Sequence, residues 1–268
     1  MDAMQRLHAR IRACTRCADA GYIPFARPVV AGASGDRIAL VGQAPGIVEL
    51  STGLPFSGRS GAILRRWLAE AGIADESIPY RTAMTKCFPG KAKTGAGDRR
   101  PSPAEVALCA PWLEEELSLL RPRILMLIGQ LAIERFWGRV PLQEAVGRVR
   151  RPADGPVLIP FPHPSGASRW LNQPENHALL RRAIGHLHHV LRREFHLQRA
   201  GTLAVHAHTA RSHHPAQRLP LGGRVSVQQP VQESLRHSSS ALPRSGGGKR
   251  RAPVHPRLDR NLYHSEPL

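Results

Sequence analysis

Three stretches, Arg37 to Gly42 (RIALVG), Ile124 to Gly129 (ILMLIG) and Val157 to Phe161 (VLIPF), are short, almost wholly apolar and bounded by Gly or Pro. Such runs leave no polar face for water, which is the pattern of strands buried on both sides in a parallel sheet. A fourth run, Arg81 to Lys86, is spaced to join them. Helical patterns alternate with these runs: Gly61 to Ala71, Pro103 to Leu120 with Ser102 placed to cap it, Gln130 to Trp137, and Asn176 to Phe195. The alternation predicts an α/β fold, a three-layer α/β/α arrangement on a mostly parallel, twisted central sheet of about four strands. Ligands in such folds sit beyond the carboxyl ends of the strands, so the loops after Gly42 and Phe161 are the places to look for chemistry.

The composition changes at Phe195. Residues 196–268 carry 8 of the 14 histidines, runs such as Ser238-Ser239-Ser240 and Gly246-Gly247-Gly248, and no sustained hydrophobic period. Such a segment cannot bury enough apolar surface to fold, and it is expected to be a disordered basic tail on a domain spanning 1–195. It reads either as an arm adding nonspecific phosphate contacts or as a dispensable extension. The whole chain has 38 Lys and Arg against 20 Asp and Glu, a net charge of +18, of which +10 falls before residue 196 and +8 after it. That excess points to a polyanionic partner. No apolar run is long enough to span a bilayer, and the N-terminus has no signal-like apolar core. A cytoplasmic protein with no membrane partner, acting as a monomer, is the expectation.

The chain has four cysteines. Cys14 and Cys17 form a Cys-x-x-Cys pair, while Cys87 and Cys109 come from distant segments. Four thiolates suit a structural zinc or an iron-sulfur cluster equally well, and spacing alone does not choose. Two loops at predicted strand ends carry further candidates. Small residues in Gly42-Gln43-Ala44-Pro45-Gly46 allow close approach of backbone to a ligand. His163, between Pro162 and Pro164, is an imidazole held stiffly at a strand end, a better catalytic candidate than a mobile one.

Taken in order, Cys14-Thr15-Arg16-Cys17, Gly42-Gln43-Ala44-Pro45-Gly46, Pro55-Phe56-Ser57-Gly58-Arg59-Ser60-Gly61, Lys86-Cys87, Cys109 and His163-Pro164-Ser165 resemble the motifs of the uracil-DNA glycosylase superfamily, most closely its iron-sulfur family 4 branch. No single motif is specific, but their order across residues 1–195 is. The resemblance implies a 4Fe-4S cluster on Cys14, Cys17, Cys87 and Cys109, with a structural role beside the DNA surface. It implies DNA containing a damaged base as partner, and extrusion of that base into a pocket. Gly42, Ala44, Phe56 and Ala83 would then line the base, with Phe56 stacking on it; without the resemblance, Phe56 reads as a core residue sooner than as a base-stacking one. His163 would donate a hydrogen bond to the base oxygen that gains charge as the glycosidic bond breaks. Gly58, Ser60 and Ser165 would meet phosphates, and Arg169, Trp170 or Leu171 would fill the gap left by the base. Arg59, Lys86, Lys91, Lys93, Arg99 and Arg100 read as further phosphate neighbours.

Two positions depart from the family pattern. Gln43 stands where the family carries Glu, and an amide can neither take a proton nor carry charge. Glu49 is the acid remaining in that loop and, with His163 and Gln43, completes the candidate catalytic set. Ala83 stands where the family has an Asn that reads the edge of uracil, and a methyl group offers no hydrogen bond. The segment Gly90 to Asp98 also lengthens the interval between Cys87 and Cys109, with Asp98 in the position of a family Asn. The function expected is a DNA-repair glycosylase that hydrolyses the N-glycosidic bond of a flipped deaminated base, uracil by default. The alternatives are a noncatalytic damage sensor on the same fold, a glycosylase for another lesion such as hypoxanthine, and a zinc-stapled nucleic-acid-binding protein.

Overall fold

A computed structural model describes residues 1–74, 79–94, 97–165 and 169–195, all of which belong to one compact unit. The tail, residues 196–268, lies outside the described residues. The central sheet has four strands, β1 (Ile38–Gly42), β2 (Tyr80–Ala83), β3 (Ile124–Ile128) and β4 (Val157–Phe161), all parallel and ordered β2-β1-β3-β4. This is the expected architecture. Three of the strands are buried at every position, as their uninterrupted apolar sequences require.

Alternation along the strands divides the core into two layers. Ala39, Val41, Leu125, Leu127, Tyr80 and Leu158 face helices α1 (Ala3–Arg12), α5 (Pro103–Leu120) and α6 (Gln130–Phe136). Ile38, Leu40, Ile124, Met126, Ile128, Ile159 and Phe161 face α4 (Arg59–Glu70) and α8 (Pro174–Glu194) on the other side. Among the remaining elements, α2 (Arg16–Asp19), α3 (Ile47–Thr52), α7 (Leu142–Ala145) and a short 3₁₀ turn (Arg169–Asn172) complete the chain order. None of the described helices is long and apolar enough to cross a membrane.

Helix α5 begins where Ser102 predicts. Its hydroxyl accepts from the Glu105 amide and Glu105 reaches back to the Ser102 amide, a reciprocal cap ahead of Pro103. The first helix was not part of the expected pattern, although its signal is present: Asp2 and Gln5 form the same reciprocal cap, and Met4, Leu7 and Ile11 recur on one buried face.

Strand β2 corrects the sequence expectation. It covers Tyr80–Ala83 rather than Arg81 to Lys86, and its inner face is polar. Lys86, expected on the rim, is 2% exposed and pairs with Glu116 of α5, itself 1% exposed, at 2.7 Å. Thr82 Oγ1 and Tyr80 OH also donate to Glu116, at 2.7 and 3.0 Å. Because the tyrosine proton is committed to the carboxylate, its oxygen accepts from His8 Nε2 at 2.8 Å. Burial lowers the His8 pKa and raises that of Tyr80, so both stay neutral around the ion pair. Removing one partner of such a pair strands the other charge without solvent. Glu116→Ala is expected to destabilise the protein by about 3–5 kcal/mol in urea denaturation, whereas the Lys86→Met, Glu116→Leu double variant loses much less.

Candidate active site and cysteine centre

The parallel strands deliver their carboxyl ends to one edge. Gly42 ends β1, and a Cβ placed there would lie 2.7 Å from Phe56 Cζ, so the absence of a side chain is what admits the phenyl ring over the strand end. Phe56 reaches this position with φ of 54°, a left-handed conformation that a bulky residue rarely holds without compensation. Its backbone is clamped from both sides. A Cβ at Gly61, in the first turn of α4, would fall 1.7 Å from the Phe56 carbonyl oxygen, and Arg81 of β2 donates to the Pro55 carbonyl at 3.0 Å. Phe56 is half-buried and packs against the core layer of α4 and α8.

Glu49 sits in the first turn of α3 and is buried. Its two oxygens accept from the backbone amides of Gly46, at 3.1 Å, and Gly58, at 3.0 Å. The carboxylate therefore staples the loop after β1 to the loop that precedes α4, and it is not a free base. Gln43 and Ala44, half-buried, occupy the bend between Gly42 and this staple. A side chain that the motifs did not single out for the site approaches the same bend. Asp98 Oδ2 lies 3.0 Å from the position of a Cβ on Gly46, while Asp98 Oδ1 is held by Lys91 Nζ at 2.8 Å. Its signal in the sequence was only a carboxylate in the place of a family Asn.

His163 follows β4 and stands beside Gly129, the residue after β3, where a Cβ would meet its ring at 3.3 Å. Gly129 has φ of 85°, a conformation that favours glycine, and a Cβ there would crowd the imidazole. The Ser165 amide donates to His163 Nδ1 at 3.2 Å, and the Ser165 hydroxyl lies 2.9 Å from the same nitrogen. A nitrogen that accepts an N–H carries no proton, which leaves the imidazole proton on Nε2. Burial lowers the His163 pKa from its ordinary value, opposed by the negative charges of Asp98 and then Glu49. The ring is thus a neutral donor held in one orientation.

Several expected contacts are placed differently. The Gly58 amide is committed to Glu49, and Ser165 is committed to His163. Ser60 lies in the first turn of α4, whose cap Gly58 contributes no side-chain bond, so the opening turn of that helix is an anion-favouring end. Arg99 is no phosphate neighbour, because its guanidinium makes a two-pronged pair with Glu105 at 2.7 Å on each arm. Lys91 is paired with Asp98, and Arg100 with Glu134. Arg59 and Lys93 are exposed. Of the three wedge candidates, Trp170 and Leu171 pack against the α8 layer while Arg169 is exposed. Residues 166–168 lie outside the described residues. Ala83 ends β2 opposite Gly42, and its carbonyl accepts from Lys86 Nζ at 2.8 Å.

The cysteines come together from three segments. Cys14 and Cys17 flank the start of α2, Cys87 follows β2, and Cys109 is buried in α5. The electrostatic influence of Cys14, Cys17 and Cys109 is felt at Cys87, and that of Cys14 and Cys109 at Cys17. Among the described residues no three His, Cys, Asp or Glu side chains converge tightly enough to hold a metal ion. The four thiols share a neighbourhood without closing on a point. Burial pushes Cys17 up to about 11 and Cys87 up to about 12, so these groups are thiols until a cationic centre draws the protons off. Backbone and indole donors already point at the sulfurs: the Lys86 amide to Cys109 at 3.2 Å and the Trp112 indole to Cys14 at 3.3 Å.

Comparison with known proteins places this geometry. The family model of the uracil DNA glycosylase superfamily matches residues 30–188. The chain is similar to a type-4 uracil-DNA glycosylase of Thermotoga maritima, with 30% identity over 167 residues that cover 61% of this chain and 82% of the relative. It is 28% identical to the type-4 uracil-DNA glycosylase of Archaeoglobus fulgidus, covering 56% of this chain and 72% of that one. A type-5 uracil-DNA glycosylase of Thermus thermophilus is 36% identical over 148 residues, covering 50% and 64%.

The imidazole geometry is directly measurable. Two-dimensional ¹⁵N NMR of the ring is expected to show His163 as the Nε2-protonated neutral tautomer, with a titration midpoint below the ordinary value of about 6.5. Ser165→Ala should leave the ring buried but lose the tautomer preference in part, since the backbone donor remains.

Proposed function

The chain belongs to the uracil DNA glycosylase superfamily, and we propose that it removes uracil from DNA by hydrolysing the N-glycosidic bond, leaving an abasic site. The observation that carries this reading is His163, whose Nδ1 accepts from the Ser165 amide at 3.2 Å, at the carboxyl edge of the sheet where the half-buried Phe56 also lies. A base inside a duplex is beyond reach of such a pocket, so the nucleotide is extruded and the base stacks on the phenyl ring. As the C1′–N bond lengthens, the base takes the electron pair and negative charge gathers on its carbonyl oxygen. The Nε2–H of His163 donates to that oxygen without giving up its proton, an arrangement worth most in a half-buried site. Arg81, Gly42 and Gly61 act by holding Phe56 in place.

DNA is held by its phosphates. The overall charge of +18, the opening turn of α4 with Arg59 and Ser60, and the exposed Arg169 and Lys93 support that role. Ala83 supplies no side-chain hydrogen bond to the base edge. Discrimination against other bases forgoes about 1–3 kcal/mol for each group left unread, so selection rests more on shape and backbone contacts here than on an amide reader.

Cys14, Cys17, Cys87 and Cys109 would hold a 4Fe-4S cluster. Four buried or half-buried thiols from three segments, with the Lys86 amide and the Trp112 indole donating to two of the sulfurs, suit it. When bound, the cluster supplies a structural tie between the N-terminal helices, the segment after β2 and α5.

Protein purified without oxygen is expected to be brown and to carry about four irons per chain, whereas zinc in a colourless protein would overturn the cluster. With end-labelled duplexes carrying uracil, hypoxanthine or xanthine, alkali-labile cleavage is expected first and fastest at uracil. His163→Ala should slow cleavage by about 10²-fold or more while salt-sensitive binding to undamaged DNA persists. The pH profile tests the role of the ring. A neutral donor keeps the rate level as pH falls through the ordinary imidazole range, because the lowered pKa holds the ring unprotonated there; an imidazolium acid would make the rate rise.

A further inference from the structure

A carboxylate near the sugar assists hydrolysis of a glycosidic bond, opposing the developing positive charge and taking a proton from water. The two side chains of the first loop that invite that role are both disqualified as they stand. Gln43 is an amide. Glu49 is buried, and each of its oxygens is already bound to a backbone amide, Gly46 on one side and Gly58 on the other. Its geometry is that of a brace.

Asp98 is placed otherwise. Residues 90–92 pair with residues 97–99: the Arg99 amide donates to the Gly90 carbonyl at 2.9 Å, the Ala92 amide to the Gly97 carbonyl at 3.1 Å, and Lys91 and Asp98 form an antiparallel bridge. This pairing brings Asp98 back against the loop after β1. Lys91 binds one carboxylate oxygen, Oδ1, at 2.8 Å, which fixes the other, Oδ2, toward Gly46. The Asp98 side chain is 31% exposed, open enough to meet a substrate that Glu49 cannot reach. Asp98 is also the charged group with the greater effect on the His163 ring, ahead of Glu49, so it shares the neighbourhood of the proposed leaving base.

We propose that Asp98, placed by the pairing of residues 97–99 with 90–92, is the catalytic carboxylate of this chain, facing the sugar cation and the attacking water in place of the acid absent at Gln43. The proposal rests on the glycosylase reading above. The departing base takes the bonding pair and leaves as an anion. The water oxygen bonds to C1′, and its surplus proton passes to Asp98 Oδ2. From there the proton moves through solvent to the free base, which restores the carboxylate for the next cycle.

The test uses the full chain, loaded with its cluster, in single-turnover excision of uracil from a duplex, beside its affinity for the same duplex carrying a hydrolysis-resistant 2′-fluoro-uridine. Asp98→Asn is expected to slow excision by about 10²-fold, with affinity for the resistant duplex unchanged within about twofold. Asp98→Glu should recover a large part of the rate. Adding Gln43→Glu to Asp98→Asn should also recover activity, because it returns a carboxylate to the same bend from the other side. Excision by Asp98→Asn at the wild-type rate would overturn the proposal and leave the glycosylase reading intact. A slow Asp98→Asn that neither carboxylate variant restores would overturn it as well, reducing Asp98 to a structural brace. Failure of the cluster-loaded wild-type chain to release uracil while still binding the duplex would overturn the reading itself and this proposal with it.

Discussion

Lys86 is the residue through which the separate parts of this structure are held in register. Its ammonium is buried against Glu116 and reaches Thr82 Oγ1 at 2.6 Å and the Ala83 carbonyl at 2.8 Å. Its backbone amide donates to Cys109. One side chain therefore ties the last residue of β2 to α5, and the same residue's backbone touches the cysteine neighbourhood. A buried ion pair seldom stabilises more than a well-packed apolar pair would. What it provides here is direction: the Lys86 charge is satisfied only when β2, α5 and the turn after Ala83 are mutually aligned. Tyr80 and His8 extend the same network to α1, so the first helix is positioned by hydrogen bonds as well as by its apolar face.

The carboxyl edge of the sheet, which this network reaches at Ala83, obeys a different constraint, which is space. Gly42, Gly61 and Gly129 each stand where a Cβ would collide with, or crowd, the residue that matters: the Phe56 ring, the Phe56 carbonyl and the His163 ring. Two candidate residues on distant loops thus sit close to the strand ends because the strands and helices beneath them lack side chains at those points. Phe56 in particular holds a backbone conformation with an intrinsic penalty of the order of 1–3 kcal/mol, and the surrounding contacts over-determine it. Strain kept in place by Arg81, Glu49 and two glycines is an economical way to present an aromatic face that a relaxed loop would turn inward.

The legible parts of the sequence were those whose cause is local. Strands buried on both faces announce themselves by unbroken apolar runs, and α5 begins where the Ser102, Pro103 and Glu105 signals place it. The four cysteines and the loops around Gly42 and His163 were legible as motifs. Charged residues were not legible, because a charge's role depends on a partner far along the chain. Lys86 and Arg99 look like surface cations until Glu116 and Glu105 are seen against them. Glu49 looks like a free acid until the Gly58 amide, nine residues on, is found at its oxygen. Asp98 is the converse case, an apparently incidental acid in a Gly- and Lys-rich insertion that the pairing of residues 97–99 with 90–92 returns to the loop after β1. Trp170 and Leu171, which the resemblance offers as wedges, are partly buried against the α8 layer; Asn176 of that helix donates to the Trp170 carbonyl at 2.8 Å.

Charge of opposite sign is distributed between the surface and the pocket. The chain as a whole is strongly basic, which raises its association rate and affinity with any nucleic acid regardless of sequence. At the strand ends the balance reverses. The imidazole is kept neutral by burial, one carboxylate is spent on loop amides and another is turned toward the same bend. The two requirements conflict if placed together, since a positive pocket would oppose the positive sugar that a dissociative cleavage creates, and a negative surface would repel the phosphates that carry it there. Separating them by a few residues resolves the conflict. Arg59 at the start of α4 and Arg169 after β4 are exposed, while Lys91 is paired with Asp98 Oδ1. A cation whose charge is already matched by a carboxylate opposes a developing positive charge less than an unmatched one would.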